Sequence, residues 1–211
     1  MKVKVCGITR VEQLKGLQEA GADYAGLIFY PGSKRFAGLQ LRDAMEEIKS
    51  IPIKKIGVFV NEALESVLRY IQGYGLHAVQ LHGDESSEYC KALMEATTVI
   101  KVFRLVGDED LEIMLEPFQD TCHYFLFDTA TKEYGGSGRK FRWEVVEKAV
   151  IGKPFFLSGG IGTGDVESIR SFRHKWLEAV DINSSFEIEP GVKDLGKVSF
   201  FIKEVKGAER S

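Results

Sequence analysis

Eight short apolar runs, each followed by a longer amphipathic segment, constrain this chain more than any other feature. The runs are VKVC (3–6), YAGLIF (24–29), KIGVFV (55–60), AVQLH (78–82), VIKVF (99–103), YFLFD (124–128), PFFLS (154–158) and AVDIN (179–183). β-Branched and aromatic residues dominate them, which predicts strands. Between them RVEQLKGLQEAG, LRDAMEEIKS, EALESVLRYIQGYG, SSEYCKALMEA, DEDLEIMLEPF, RWEVVEKAV, GDVESIRSF and DLGKVSFFIKEVK carry helical periodicity. Strand starts recur about every 25 residues, the length of one βα unit. Eight such units in 211 residues predict an α/β fold of the closed (β/α)8 TIM-barrel type. An open doubly wound sheet is the alternative. No linker or low-complexity tract divides residues 1–211, so one domain is expected.

A closed barrel dictates where each side chain points. Alternate strand residues face inward and the others face the helices, where apolar side chains are required. Val3 and Val5 therefore turn Lys4 and Cys6 inward, and Val79 with Leu81 does the same for Gln80 and His82. Phe125 and Phe127 leave Asp128 inside, and Val180 with Ile182 leaves Asp181 and Asn183 inside. These polar residues stand at strand ends and converge on the C-terminal mouth, where barrel enzymes place their chemistry. A free cysteine is usually a small buried hydrophobe, but one that shares a ring with two aspartates and a histidine reads as chemistry. Lys4 lies one inward step below Cys6, about 7 Å along the strand, and is expected to favour the thiolate.

Two glycine- and serine-rich turns close the last strands. SGGIGTG (158–164) exposes backbone N–H groups around Gly159 and Gly160, and NSS (183–185) adds Ser184 and Ser185. Turns at these positions commonly form the phosphate site of a TIM barrel. Two further loops face the same mouth: YPGSKRF (30–36), which supplies Lys34 and Arg35, and the long stretch TATKEYGGSGRKF (129–141). Arg35 can fork onto a carboxylate, and a loop of the second length suits a lid.

Composition excludes several other classes. A net charge of −3 and scattered basic residues leave no footprint for nucleic acid. No apolar run approaches the roughly 20 residues of a membrane helix. The N-terminus lacks a signal-peptide pattern, and three cysteines without one imply free thiols in the cytoplasm. No pair of ligand-spaced residues accompanies Cys122 and His123, so no metal site is expected.

The strings KVCGITR, GLIFYPGSKR, GVFVN, VQLHGDE, LFDTATKEYGGSGRKFRW, LSGGI and VDINSSFE, in this order, resemble the phosphoribosylanthranilate isomerases of tryptophan biosynthesis. The resemblance runs from the first strand to the last helix. It implies an Amadori rearrangement of N-(5-phosphoribosyl)anthranilate to 1-(2-carboxyphenylamino)-1-deoxyribulose 5-phosphate, with no cofactor. It also implies roles. Cys6 matches the general base and Asp128 the general acid. Arg35 matches the arginine that holds the anthranilate carboxylate. Gly159, Gly160, Ser184 and Ser185 match the phosphate site, and Gln80 and His82 fall in a family motif; with Asp181, which parity turns into the same mouth, they are expected to bind substrate. The expected partner is this small-molecule substrate alone, bound by a monomer or a homodimer. In one motif the chain departs from the family, reading DINSSFE where DVSSGVE is usual, so that Ser185 and Phe186 replace glycine and valine. An indole-glycerol-phosphate synthase would want lysine and glutamate at the strand ends, and a pentose-phosphate epimerase metal-binding histidines. A non-catalytic barrel that binds a phosphoribosyl ligand would keep the two turns without needing the acid–base pair.

Overall fold

A computed structural model describes residues 1–106, 110–129 and 143–207. Eight parallel strands close into a barrel in sequence order. They are β1 (Lys2–Cys6), β2 (Tyr24–Ile28), β3 (Lys54–Phe59), β4 (Ala78–Leu81), β5 (Thr98–Leu105), β6 (Tyr124–Thr129), β7 (Phe155–Leu157) and β8 (Leu177–Ile182). Helices α1 (Val11–Glu19), α2 (Ala37–Gln40), α3 (Met45–Ser50), α4 (Leu64–Tyr74), α5 (Ser87–Met94), α6 (Leu111–Leu115), α7 (Glu144–Lys148), α8 (Val166–Ser171) and α9 (Leu195–Gly207) lie between and after them. All eight strand runs read from the sequence are strands, which removes the open sheet, since β1 pairs with β8. None of the described helices is long and apolar enough to cross a membrane.

Strand alternation splits the apolar side chains into two separate clusters. Val3, Val5, Val79, Leu81, Phe125, Phe127, Val180 and Ile182 belong to the large cluster beneath the helices. Tyr24, Ile56, Ala78, Ile100, Val102, Leu126, Phe156 and Ala179 plug the barrel interior. The interior plug leaves the C-terminal mouth as the open end.

The helix-facing layer is less uniformly apolar than the alternation rule demands. Lys55 on β3 and Lys101 on β5 face it and are buried, as is Lys153 just before β7. Each ammonium ends on backbone carbonyls at a helix end or in a turn, where a buried lysine finds acceptors. Lys55 donates to the carbonyls of Ile48 (2.9 Å) and Ile51 (2.7 Å), at the end of α3. Lys153 reaches those of Phe118 (3.1 Å) and Cys122 (2.6 Å). Lys101 donates to Gly83 O and to Glu85 (both 2.8 Å) and so ties down the loop behind His82.

Two small elements were not visible in the sequence pattern. α2 follows Arg35, and an antiparallel hairpin, β9 (Glu187–Glu189) with β10 (Val192–Lys193), follows β8. The hairpin docks on the first βα loop, where Thr9 Oγ1 donates to Gly191 O at 2.7 Å.

Candidate active site

At the mouth, Cys6, Gln80, His82, Asp128 and Asp181 line one cleft, about 700 Å³ with the space open to solvent included. Tyr30, Ser33, Ser158, Gly160, Asn183 and Ser184 line it too, with an apolar wall of Ile28, Val58, Val60 and Ile161. Its apolar wall and few convergent polar groups are what a small-ligand site requires.

The floor is an ion pair. Register sets Lys4 of β1 beside Asp181 of β8, both inward, and Lys4 Nζ meets Asp181 Oδ2 at 2.8 Å with both side chains buried. Asp181 Oδ1 and Gln80 Oε1 are buried acceptors with no hydrogen-bond partner. An unsatisfied buried acceptor costs about 1–3 kcal/mol, so both fit the hydroxyl groups of a ligand.

Cys6 stands above Lys4. The close approach of Gly26 makes room for it: a Cβ there would lie 2.7 Å from Cys6 Sγ and 3.0 Å from Cys6 Cα. Burial pushes the thiol above its ordinary value, and the nearby charges of Lys4 and Lys193 oppose this without cancelling it. The expectation of a readily formed thiolate is therefore corrected: desolvation of the anion outweighs the lysines. Asp128, at the end of β6, moves in the same direction. Burial raises its pKa against the Thr129 N–H, Lys4 and Ser158, and Thr129 N donates to Oδ1 at 2.8 Å.

His82 adjoins Asp128, with Nε2 at 3.5 Å from Oδ2. Burial first, then Lys4, pushes its pKa down to about 4, so the ring is neutral at pH 7. The Gln80 side chain lies 3.1 Å from Nδ1. With the amide N–H donating there, the ring proton sits on Nε2, toward Asp128.

Behind β7, Gly159 (φ +94°) and Gly160 (φ +70°) adopt consecutive left-handed conformations. Glycine alone adopts such a pair freely, and it leaves the backbone bare of side chains where a ligand could approach. The 184–186 turn packs against this loop: a Cβ on Gly162 would lie 3.6 Å from Ser185 Cβ. Gly160 and Ser184 line the cavity, whereas Gly159 and Ser185 lie outside its lining. Ser185 is exposed, and no positive φ demands glycine there. Phe186 turns back into the core, edge-on to Phe201 of α9 with ring centroids 5.1 Å apart.

Arg35 also lies outside the cavity lining. Its guanidinium forks onto Glu187 of the hairpin, Nε to Oε1 at 2.8 Å and Nη2 to Oε2 at 2.6 Å. Lys193 takes the same carboxylate at 2.6 Å and Asn183 Oδ1 at 2.7 Å. Sequence reasoning missed Glu187 and Lys193 as partners of this cluster, because the hairpin brings them in from a stretch without strand periodicity. Most of the long loop after β6, residues 130–142, lies outside the described residues. Among the described residues no group of three or more His, Cys, Asp or Glu is placed to hold a metal ion.

Known proteins share this sequence and this fold. The sequence model described as N-(5'phosphoribosyl)anthranilate (PRA) isomerase matches residues 3–204. The N-(5'-phosphoribosyl)anthranilate isomerase of Phocaeicola vulgatus is 41% identical over 208 residues, 98% of each chain. The solved phosphoribosyl anthranilate isomerase of Thermotoga maritima superposes with a TM-score of 0.86 at 38% identity, covering 98% of this chain and 99% of its own. A phosphoribosyl anthranilate isomerase solved in complex with reduced 1-(o-carboxyphenylamino)-1-deoxyribulose 5-phosphate gives 0.81 at 34% identity, with 98% and 99% covered. With matches that run the length of the barrel, the chain belongs to the N-(5'-phosphoribosyl)anthranilate isomerase family.

Proposed function

We propose that the cavity isomerises N-(5'-phosphoribosyl)anthranilate by acid–base catalysis, with Asp128 as the acid and Cys6 as the base. One observation carries this assignment: the two residues face a single cavity from the ends of β1 and β6. Asp128 protonates the furanose ring oxygen, and the aminal opens to an iminium. Cys6 removes the C2 proton to form an enolamine. Return of that proton to C1 completes the ketone, while the enol proton replaces the one Asp128 gave. Every proton is accounted for within the pair and the substrate.

The surroundings support the roles. Burial keeps Asp128 protonated to a higher pH than a free carboxyl, as its acid role needs. The raised thiol of Cys6 leaves the thiolate a minor species, so only that fraction is competent for the proton transfer. Gln80 Oε1 and Asp181 Oδ1 suit the sugar hydroxyls. Gly160 and Ser184 sit where a 5-phosphate would reach the paired turns.

Loss of phosphoribosylanthranilate fluorescence, with substrate generated in situ from anthranilate and phosphoribosyl pyrophosphate, tests the reading. Wild-type protein should turn it over. Cys6→Ser and Asp128→Asn should each lower kcat by about 10²–10⁴-fold while leaving inhibition by inorganic phosphate intact. A near-normal rate in either folded variant removes that residue from the mechanism. No turnover by wild type, with phosphoribosyl binding retained, leaves a non-catalytic barrel.

A further inference from the structure

The Arg35–Glu187–Lys193 cluster is asymmetric in charge. Two cations share one carboxylate, and all three side chains are at most 12% exposed. Glu187 is saturated: Oε1 accepts from Arg35 Nε, Lys193 Nζ and Gly191 N, and Oε2 from Arg35 Nε and Nη2. The cluster thus carries a charge of +1 with its internal anion fully used. It lies at the lip of the cavity. A Cβ on Gly7, the residue after Cys6, would meet Arg35 Cδ at 2.7 Å, Asn183 Oδ1 at 2.8 Å and Lys193 Nζ at 3.4 Å, and Asn183 lines the cavity.

We propose that Lys193 is a positioning residue for the carboxylate end of the substrate. By sharing Glu187 with Arg35 it leaves one positive charge uncompensated and keeps Arg35 exchangeable onto a second carboxylate. The proposal rests on the isomerase reading, in which Arg35 meets the anthranilate carboxylate. With Arg35 and Glu187 alone, the bidentate pair is neutral and closed, and a substrate carboxylate that takes Arg35 leaves Glu187 buried without a cation. With Lys193 present, Glu187 keeps a cation when Arg35 turns away. Lys193 also donates to Asn183, so it fixes the lining wall from behind.

Charge arithmetic sets the test. The cluster carries +1 in wild type, zero in Lys193→Met, and +1 again in Lys193→Met/Glu187→Gln. Binding of reduced 1-(o-carboxyphenylamino)-1-deoxyribulose 5-phosphate, which bears a carboxylate and a phosphate, is measured for all three, with inorganic phosphate as the second probe. Lys193→Met should weaken the first probe about tenfold or more, the loss of one charge-assisted contact, and leave phosphate unchanged. The double variant should regain most of that loss. In turnover, Lys193→Met should raise KM more than it lowers kcat.

A residue with a merely structural role predicts that the double variant binds no better than the single one, and that result overturns the proposal. So does unchanged affinity in Lys193→Met, or a parallel loss of phosphate binding, which would assign the cluster to the phosphate. Should Lys193→Met fail to fold, the double variant decides, since it also removes the buried carboxylate that has lost one of its two cations. Binding within a few-fold of wild type then supports the proposal, and a tenfold loss overturns it. Wild type that binds phosphate but not the analogue refutes the isomerase reading itself, a separate result.

Discussion

His82 shows how one buried ring couples acidity to stability. Its pKa is about 4 in the fold against an ordinary value near 6.5. A depressed value of this kind adds stability above pH 6.5, and the contribution is lost as the pH falls through 6.5 toward 4. Over the whole window the shift amounts to roughly 3 kcal/mol, at about 1.4 kcal/mol per unit. Most of it should be gone by pH 4.5. Urea unfolding of wild type and His82→Gln at pH 7.5 and pH 4.5 checks this, because the variant should lose about 2–3 kcal/mol less on acidification. Equal losses in the two proteins would mean that His82 is not the group being protonated. The same neutrality matters to chemistry: a neutral ring leaves Asp128 without an ion pair that would lower its pKa and weaken it as an acid.

Strand-to-strand spacing decides whether Cys6 fits at all. Gly26 of β2 touches the Cys6 backbone and sulfur so closely that a methyl group has nowhere to go. Gly26→Ala should fold as a barrel yet displace Sγ, and a misplacement near 1 Å costs about a hundredfold in rate. The kcat of the purified variant, with its circular dichroism as a control, measures this; an unchanged kcat would show that β2 does not position the base. Much of this scale was legible in the sequence. Strand alternation located Lys4, Cys6, Gln80, His82, Asp128 and Asp181 at one mouth because parity is a local rule with a period of two. The buried lysines escaped it, since their ammonium groups are satisfied by carbonyls of helices and turns that no strand pattern reveals. Arg35 was placed on the right face, but its partner Glu187 is 152 residues away and sits on a hairpin with no strand signal of its own.

For the whole molecule, the closing seam between β1 and β8 is the point where stability and site coincide. Lys4 and Asp181 join the two strands through the barrel centre. Removing one partner of such a pair leaves a buried charge and costs about 3–5 kcal/mol, whereas replacing both with well-packed neutral groups is often neutral or stabilising. Lys4→Met should therefore lower unfolding stability by about 3–5 kcal/mol, and Lys4→Met/Asp181→Leu should recover most of it. Thermal and urea unfolding of the three proteins decide this, and a double variant as unstable as the single one would show that packing rather than charge holds the seam. The recovered barrel should still be a poor isomerase, because it lacks the acceptor at its floor.

The distance between those partners along the chain, 177 residues, also has a consequence in time. At a synthesis rate of roughly 5–20 residues per second, Cys6 is made roughly 9–35 s before Asp181. Once outside the ribosome, the thiol has no floor beneath it and no hairpin beside it until those residues follow. Without the burial that restrains it in the fold, it is an ordinary thiol. Birth is thus the moment at which this site is most open to oxidation, and the last strand ends that exposure.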